Sequence, residues 1–263
     1  MQRLPLAHIR AFALPCMAAV QSQSRSRSRS RASSSDRRLD ATCFVGLDFD
    51  CTITVRHYYK CLATGLVMGR PSGHPHCPAF MAWLRREKTA VTPQDLEARV
   101  PNEHPILCAV ECLQEKLGEE KFKQLIREVF LGGDERIQQL TAWLTAKKKE
   151  GVDFAIITAG LASTVSIALE AVPEWDDFFP TDVVLDVGAS RHQVLSVTGQ
   201  KALMLRDLRP LARIILVDDS LGEDPIPAWI RRRAQVFSVA LPYEGSGLSQ
   251  DSCARVDEAL KSS

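Results

Sequence analysis

Three continuous apolar runs set the pattern of this chain, and each ends on carboxylates or a hydroxyl. The first, Phe44-Val45-Gly46-Leu47, breaks into Asp48-Phe49-Asp50-Cys51-Thr52-Ile53-Thr54. Its β-branched and aromatic residues are those of a buried strand. The second, Asp153 to Ile157, ends on Thr158-Ala159-Gly160, a hydroxyl followed by a glycine turn. The third, Ile214-Ile215-Leu216-Val217, ends on Asp218-Asp219-Ser220. Shorter strands are expected over Asp182–Leu185 and Gln235–Leu241. Helical periodicity fills the intervals. Over Asp134–Glu150, residues Ile137, Leu140 and Leu144 share a face. Acids open that helix and Lys147, Lys148 and Lys149 close it, the charge order the helix dipole favours, with Gly151 placed as a C-terminal stop. Further helices are expected over Ser163–Ala171 and Asp251–Leu260, with a short helix or turn over Leu203–Leu211. Fully apolar strands alternating with helices indicate an α/β fold: a parallel sheet covered on both faces.

In such sheets, sites form beyond the carboxyl ends of the strands, where Asp48, Thr158 and Asp218 would all fall. Asp48 and Asp50 are two residues apart and can face one small volume. Two carboxylates that close need a cation between them or a proton on one. Hard divalent ions such as Mg²⁺ take oxygen ligands of this kind. The competing reading for either acid pair is a solvated acidic turn. Strand alternation would point Cys51 away from the two acids, so no catalytic role is expected for it.

Between Thr54 and the second strand the pattern is mostly helical. Thr92, Pro93 and Asp95 carry helix-start chemistry. Ile106, Leu107, Val110, Leu113 and Leu117 recur at helical spacing before Gly118, and Phe122, Leu125, Ile126 and Val129 mark another helix before Gly132-Gly133. His74, His76 and Cys77 are of metal-ligating type, but nothing adjacent completes a set of four, so the expectation is structural. Cys108 and Cys112, four apart, read as packed thiols. His57 and Tyr58 follow the first acid motif, placed either to touch a substrate or to pack the neck of the insert.

Composition narrows the picture. The 263 residues are 45% hydrophobic and 25% charged, as in a globular protein, and the formal net charge of +1 argues for no nucleic-acid partner. Eight cysteines without paired zinc-like spacing read as reduced core thiols. No apolar run approaches the roughly 20 residues of a membrane span. Residues 1–39 stand apart: Arg25, Arg27, Arg29 and Arg31 alternate with serines, and no acid precedes Asp36. Such a tail cannot bury enough apolar surface to order itself. It looks like a transit peptide for a chloroplast or mitochondrion, with a secretory signal or a Ser-Arg partner segment as rivals and the cytoplasm as the alternative location. Nothing sets an oligomeric state.

The ordered set Asp48/Asp50, Thr158, Lys201, Asp218/Asp219 resembles the haloacid dehalogenase-like (HAD) hydrolase superfamily, over about residues 42–56 and 137–241. The resemblance implies a Rossmann-like core over 40–56 and 134–263, with residues 57–133 forming a mostly helical C1-type cap. It implies Asp48 as the nucleophile, Asp50 as general acid and base, and Thr158 and Lys201 as phosphate-binding groups. Mg²⁺ would be held by Asp48, Asp50 (through its carbonyl), Asp218 and Asp219. The last motif has two registers, with Asp218 as ligand and Asp219 in support, or Asp219 as ligand and Glu223 in support. Because Asp50 is present, the implied activity is a phosphatase rather than a dehalogenase. The implied substrate is a small phosphorylated metabolite. The alternatives are a protein phosphatase resembling those acting on the RNA-polymerase tail, and a non-catalytic HAD-like binding protein.

Overall fold

The computed structural model describes residues 43–97, 99, 104–190 and 196–262. The expected tail, 1–39, lies outside the described residues. The sheet is built of β1 (Cys43–Leu47), β2 (Val152–Thr158), β3 (Val184–Asp186), β4 (Arg213–Asp218) and β5 (Val236–Ala240), all parallel, in the order β3-β2-β1-β4-β5. β1 is central. Leu47 is in register with Ile156 on one side and Val217 on the other, so the three motif strands end nearly level.

The strands are apolar throughout because alternate side chains enter different buried layers. Val45, Leu47, Ile156, Ile215 and Val217 belong to one apolar cluster, and Phe44, Ala155, Ile157, Ile214 and Leu216 to the other.

The helices, in chain order, are α1 (Tyr58–Lys60), α2 (Cys77–Arg86), α3 (Pro93–Glu97), α4 (Pro105–Leu117), α5 (Glu119–Leu125), α6 (Asp134–Lys149), α7 (Ala162–Leu169), α8 (Val197–Leu208), α9 (Ala228–Ala234) and α10 (Gln250–Lys261). No helix among the described residues is long and apolar enough to cross a membrane. The stretch from α1 to α5 is the helical insert. Its residues Phe80, Leu113 and Phe122, and Phe130 just after it, share one continuous apolar cluster with Val45 and Ile156 of the sheet.

α8 packs closest to the centre. A methyl group on Gly46 of β1 would lie 2.4 Å from Leu205 Cδ1 of α8, so the absence of a side chain there sets that approach. α8 also starts earlier than the pattern over Leu203–Leu211 suggests. The Ser196 hydroxyl accepts from the Gly199 amide at 3.0 Å and nucleates the first turn through Thr198 and Gly199, residues with little helix preference of their own.

Two further local expectations give way. Phe49–Ile53 does not continue the strand: it is a wide turn with Cys51 at φ +57°. Strand alternation therefore does not apply to Cys51, whose sulfur lies 3.8 Å from His76 Nδ1. Thr181–Val183 forms a tight turn ahead of β3, which shifts that strand to Val184–Asp186.

Candidate active site

Asp48 is the first residue beyond β1, tethered by its amide to the Val217 carbonyl at 2.9 Å. That bond locks it against the end of β4, which delivers Asp218. Between them stands Lys201, carried on α8 and only 2% exposed. Its Nζ donates to Asp48 Oδ1 at 2.7 Å and to Asp218 Oδ2 at 2.6 Å. Burial alone would lower an ammonium pKa, but the two carboxylates outweigh it and hold Lys201 above its ordinary value. Asp48 is pushed in the other direction: burial raises its carboxyl well above the usual range, Lys201 opposes this, and Asp218 adds to it.

The two acids of the last motif are placed differently. Both oxygens of Asp218 are committed to the protein. Oδ2 takes Lys201, while Oδ1 accepts from the Ser220 amide at 2.7 Å and its hydroxyl at 2.5 Å. Asp219 accepts at Oδ2 from the Glu244 amide at 2.9 Å and lines the cavity over the sheet edge. Its carboxyl is raised, chiefly by burial. Glu223 and Asp224 line the same cavity, and Asp224 also accepts from the Thr198 amide at 3.1 Å, holding the start of α8.

Asp50 follows the turn. Its Oδ1 accepts from the Tyr59 amide at 3.2 Å and its Oδ2 lies 3.2 Å from His57 Nδ1. Cys51, at positive φ, is what swings the chain away after Asp50 and returns it beneath the insert. At the end of β2, Thr158 Oγ1 accepts from the Gly160 amide at 2.9 Å, which leaves its proton to be donated.

These groups line a cavity of about 450 Å³ together with Tyr59 and Lys60 from the insert, Val197, and Tyr243 from the loop after β5. A depression of about 530 Å³ on the outer face of α6 is lined by Gln138, Ala142 and Thr145, with no acid pair to hold a cation. The structure thus gathers Asp48, Asp50, Thr158, Lys201 and Asp219 around one space, with Asp218 buried directly behind.

Lys60 and Tyr243 of the cavity, and Glu244 beside it, carried no recognisable sequence signal beforehand. Lys60 Nζ donates to Glu244 Oε1 at 3.0 Å, closing the rim between insert and core. The only hint lies in Pro242-Tyr243-Glu244-Gly245, a turn that follows β5 at the same edge of the sheet as the acids.

The donor set suits a hard divalent cation. Asp48, Asp218 and Asp219 each offer a carboxylate oxygen within 4.8 Å of the others, all in buried residues. Among the described residues, Lys201 is the single ammonium bonded to them. A cluster with this excess of negative charge is costly to bury unless a cation or protons neutralise it.

No protein-family profile and no curated protein sequence matches the chain. Solved structures similar to it include a HAD-family hydrolase from Deinococcus radiodurans with bound phosphate and sodium. That match has 11% identity and a TM-score of 0.37, over 83% of this chain and 89% of that one. A phosphoserine phosphohydrolase-like protein from Francisella tularensis matches at 12% identity and a TM-score of 0.38, over 82% and 99% of the two chains. The HAD domain of a Legionella pneumophila effector matches at 14% identity and a TM-score of 0.38, over 84% and 94%.

Proposed function

We propose that this chain is a HAD-type, Mg²⁺-dependent phosphomonoester hydrolase that works through an aspartyl-phosphate on Asp48. The observation that carries the reading is Lys201, buried between Asp48 and Asp218 and reaching both at hydrogen-bond distance. An ammonium so placed holds the attacking carboxylate in one orientation and stands ready to meet phosphoryl oxygens as charge moves onto them. Thr158 offers a second donor to the same oxygens. Asp50 is the acid and base, protonating the leaving oxygen and then taking a proton from water. His57 holds Asp50 Oδ2 from the insert side.

Mg²⁺ fits Asp48, Asp219 and the Asp50 carbonyl, and when bound it supplies positive charge to the phosphoryl group being transferred. Of the two registers for the last motif, the contacts favour Asp219 as ligand. Asp218 is saturated by Lys201 and Ser220 and serves to position the ammonium.

A cavity of about 450 Å³ rimmed by Tyr59, Lys60 and Tyr243 suits a small phosphorylated metabolite better than a polypeptide, so residues 57–133 are read as a cap over the site. The test is a screen of phosphorylated metabolites alongside a phosphopeptide, each with Mg²⁺ and with chelator. Turnover of a small phosphomonoester is expected with Mg²⁺, falling to background in chelator. Ca²⁺ should restore little, because its looser shell relaxes the alignment needed for in-line attack. Chelator-resistant turnover, or turnover of the peptide alone, contradicts the proposal.

The Arg/Ser-rich tail is proposed to be a targeting segment without a part in catalysis. A chain starting at Arg38 is expected to melt cooperatively and to turn over substrate at the full-length rate. Residues 1–39 fused to a fluorescent protein should enter a chloroplast or mitochondrion, and collection in the nucleus would instead favour a Ser-Arg partner segment.

A further inference from the structure

The histidine-cysteine stretch at the start of α2 acquires a partner that its sequence spacing conceals. Cys61, at the end of α1, is brought beside His74 and Cys77, and one ligand atom from each lies within 4.8 Å of the other two. Cys61 and Cys77 are fully buried and His74 is 7% exposed. We propose that these three residues bind a zinc ion, a centre separate from the Asp48 cluster and independent of the hydrolase reading.

Three observations support it. First, tetrahedral zinc with sulfur at about 2.3 Å and nitrogen at about 2.0 Å places its ligands somewhat under 4 Å apart, so these side chains need only a small inward movement. Second, His74 Nε2 lies 3.2 Å from Glu244 Oε1. A carboxylate on the outer nitrogen fixes the tautomer with Nδ1 unprotonated, the usual arrangement behind a metal-bound imidazole. Nδ1 accepts from the His76 amide at 3.3 Å, a long bond that metal binding would replace. Third, Cys61 and Cys77 are both free thiols, so neither sulfur is taken by a disulfide.

Charge selects the ion. Two thiolates and a neutral imidazole make a neutral centre with Zn²⁺, the cheapest form to bury, whereas a monovalent soft cation leaves a net negative charge. Loading releases one proton from each thiol, and the fourth position is left to water.

The centre would pin the insert to the site. Glu244, held by His74 through its carboxylate, donates its backbone amide to Asp219 and accepts from Lys60. His76, between His74 and Cys77 in sequence, accepts from the His57 amide at 2.8 Å.

The experiment is metal analysis of the full chain, purified under reductant, supplied with zinc and then desalted. About one zinc per chain is expected, absent from Cys61→Ser and Cys77→Ser and retained in Cys43→Ser. If the serine variants fail to fold, the wild-type chain loaded with Co²⁺ decides the matter. Thiolate-to-cobalt charge-transfer absorption with intense tetrahedral visible bands is expected. Wild-type chain that takes up neither metal after reduction, zinc retained in both folded serine variants, or cobalt bound without thiolate bands would each overturn the proposal. So would a Cys61–Cys77 disulfide in a chain that, once reduced, still binds no metal.

Discussion

Asp48→Asn is expected to lower turnover by a factor on the order of 10⁴ to 10⁶, the scale seen when a covalent nucleophile is removed. The substitution changes one atom, from oxygen to nitrogen, and the tether from the Asp48 amide to Val217 does not depend on the side chain. The fold should therefore persist, and melting should be no lower than in the parent. An uncharged amide also relieves the burial that raises the Asp48 carboxyl. The result separates two kinds of role. A residue that only helped to hold the cation would leave appreciable turnover at high Mg²⁺, whereas loss of the attacking oxygen is not recovered by any concentration of metal. Recovery of more than a small fraction of turnover in folded protein counts against Asp48 as nucleophile.

Lys201→Met is expected to have the largest effect on stability. Lys201 is buried between two carboxylates that have no other ammonium bonded to them among the described residues. Taking one partner from a buried ion network leaves uncompensated charge, at a cost of about 3–5 kcal/mol. For a domain of this size that corresponds to a fall in melting temperature of roughly 6–20 °C in chelator. Mg²⁺ should recover part of it by supplying positive charge to Asp48, one of the two carboxylates that Lys201 bridges. Turnover should fall by about 10²–10³ even with Mg²⁺, because the donor to the phosphoryl oxygens is gone. Scanning calorimetry with and without Mg²⁺ checks the first claim. Melting unchanged in chelator would show that the acids are already neutral or solvated, and that Lys201 does not bear the load assigned to it.

The parts of this molecule legible in its sequence are those governed by local pattern. β1, β2 and β4 are readable because both faces are buried, so the chain must be apolar at every position until the acids and the hydroxyl appear. α6 is readable from its charged ends and from Gly151. Lys201 is a different case. As a lone lysine beside Arg206 and Arg209 it carries little information, and it becomes meaningful only because Gly46 lets α8 lie against β1. The differing environments of Asp218 and Asp219 are equally non-local, since Glu244, which donates to Asp219, comes from a turn beyond β5 at φ +47°. Asp224 shows the same limit: its contact is with Thr198, 26 positions earlier. The turn at Cys51 escaped because alternation is a rule for extended chain, and Phe49–Ile53 is not extended. His74 and Cys77 look structural until Cys61 is seen beside them, across the helical turns of Cys61–Val67 and Pro71–Gly73, which no linear motif describes.

The most direct measurement on the central claim is the stereochemical course at phosphorus. A substrate of the Mg²⁺-dependent activity, made as a chiral oxygen-labelled phosphorothioate, would be hydrolysed in water of a different oxygen isotope and the product configuration determined. Attack by Asp48 followed by attack of water is two in-line displacements, and each inverts the centre. Net retention of configuration is the expected result. Net inversion would mean that water attacks the substrate directly, that no aspartyl-phosphate forms, and that the buried Asp48–Lys201–Asp218 array serves another purpose.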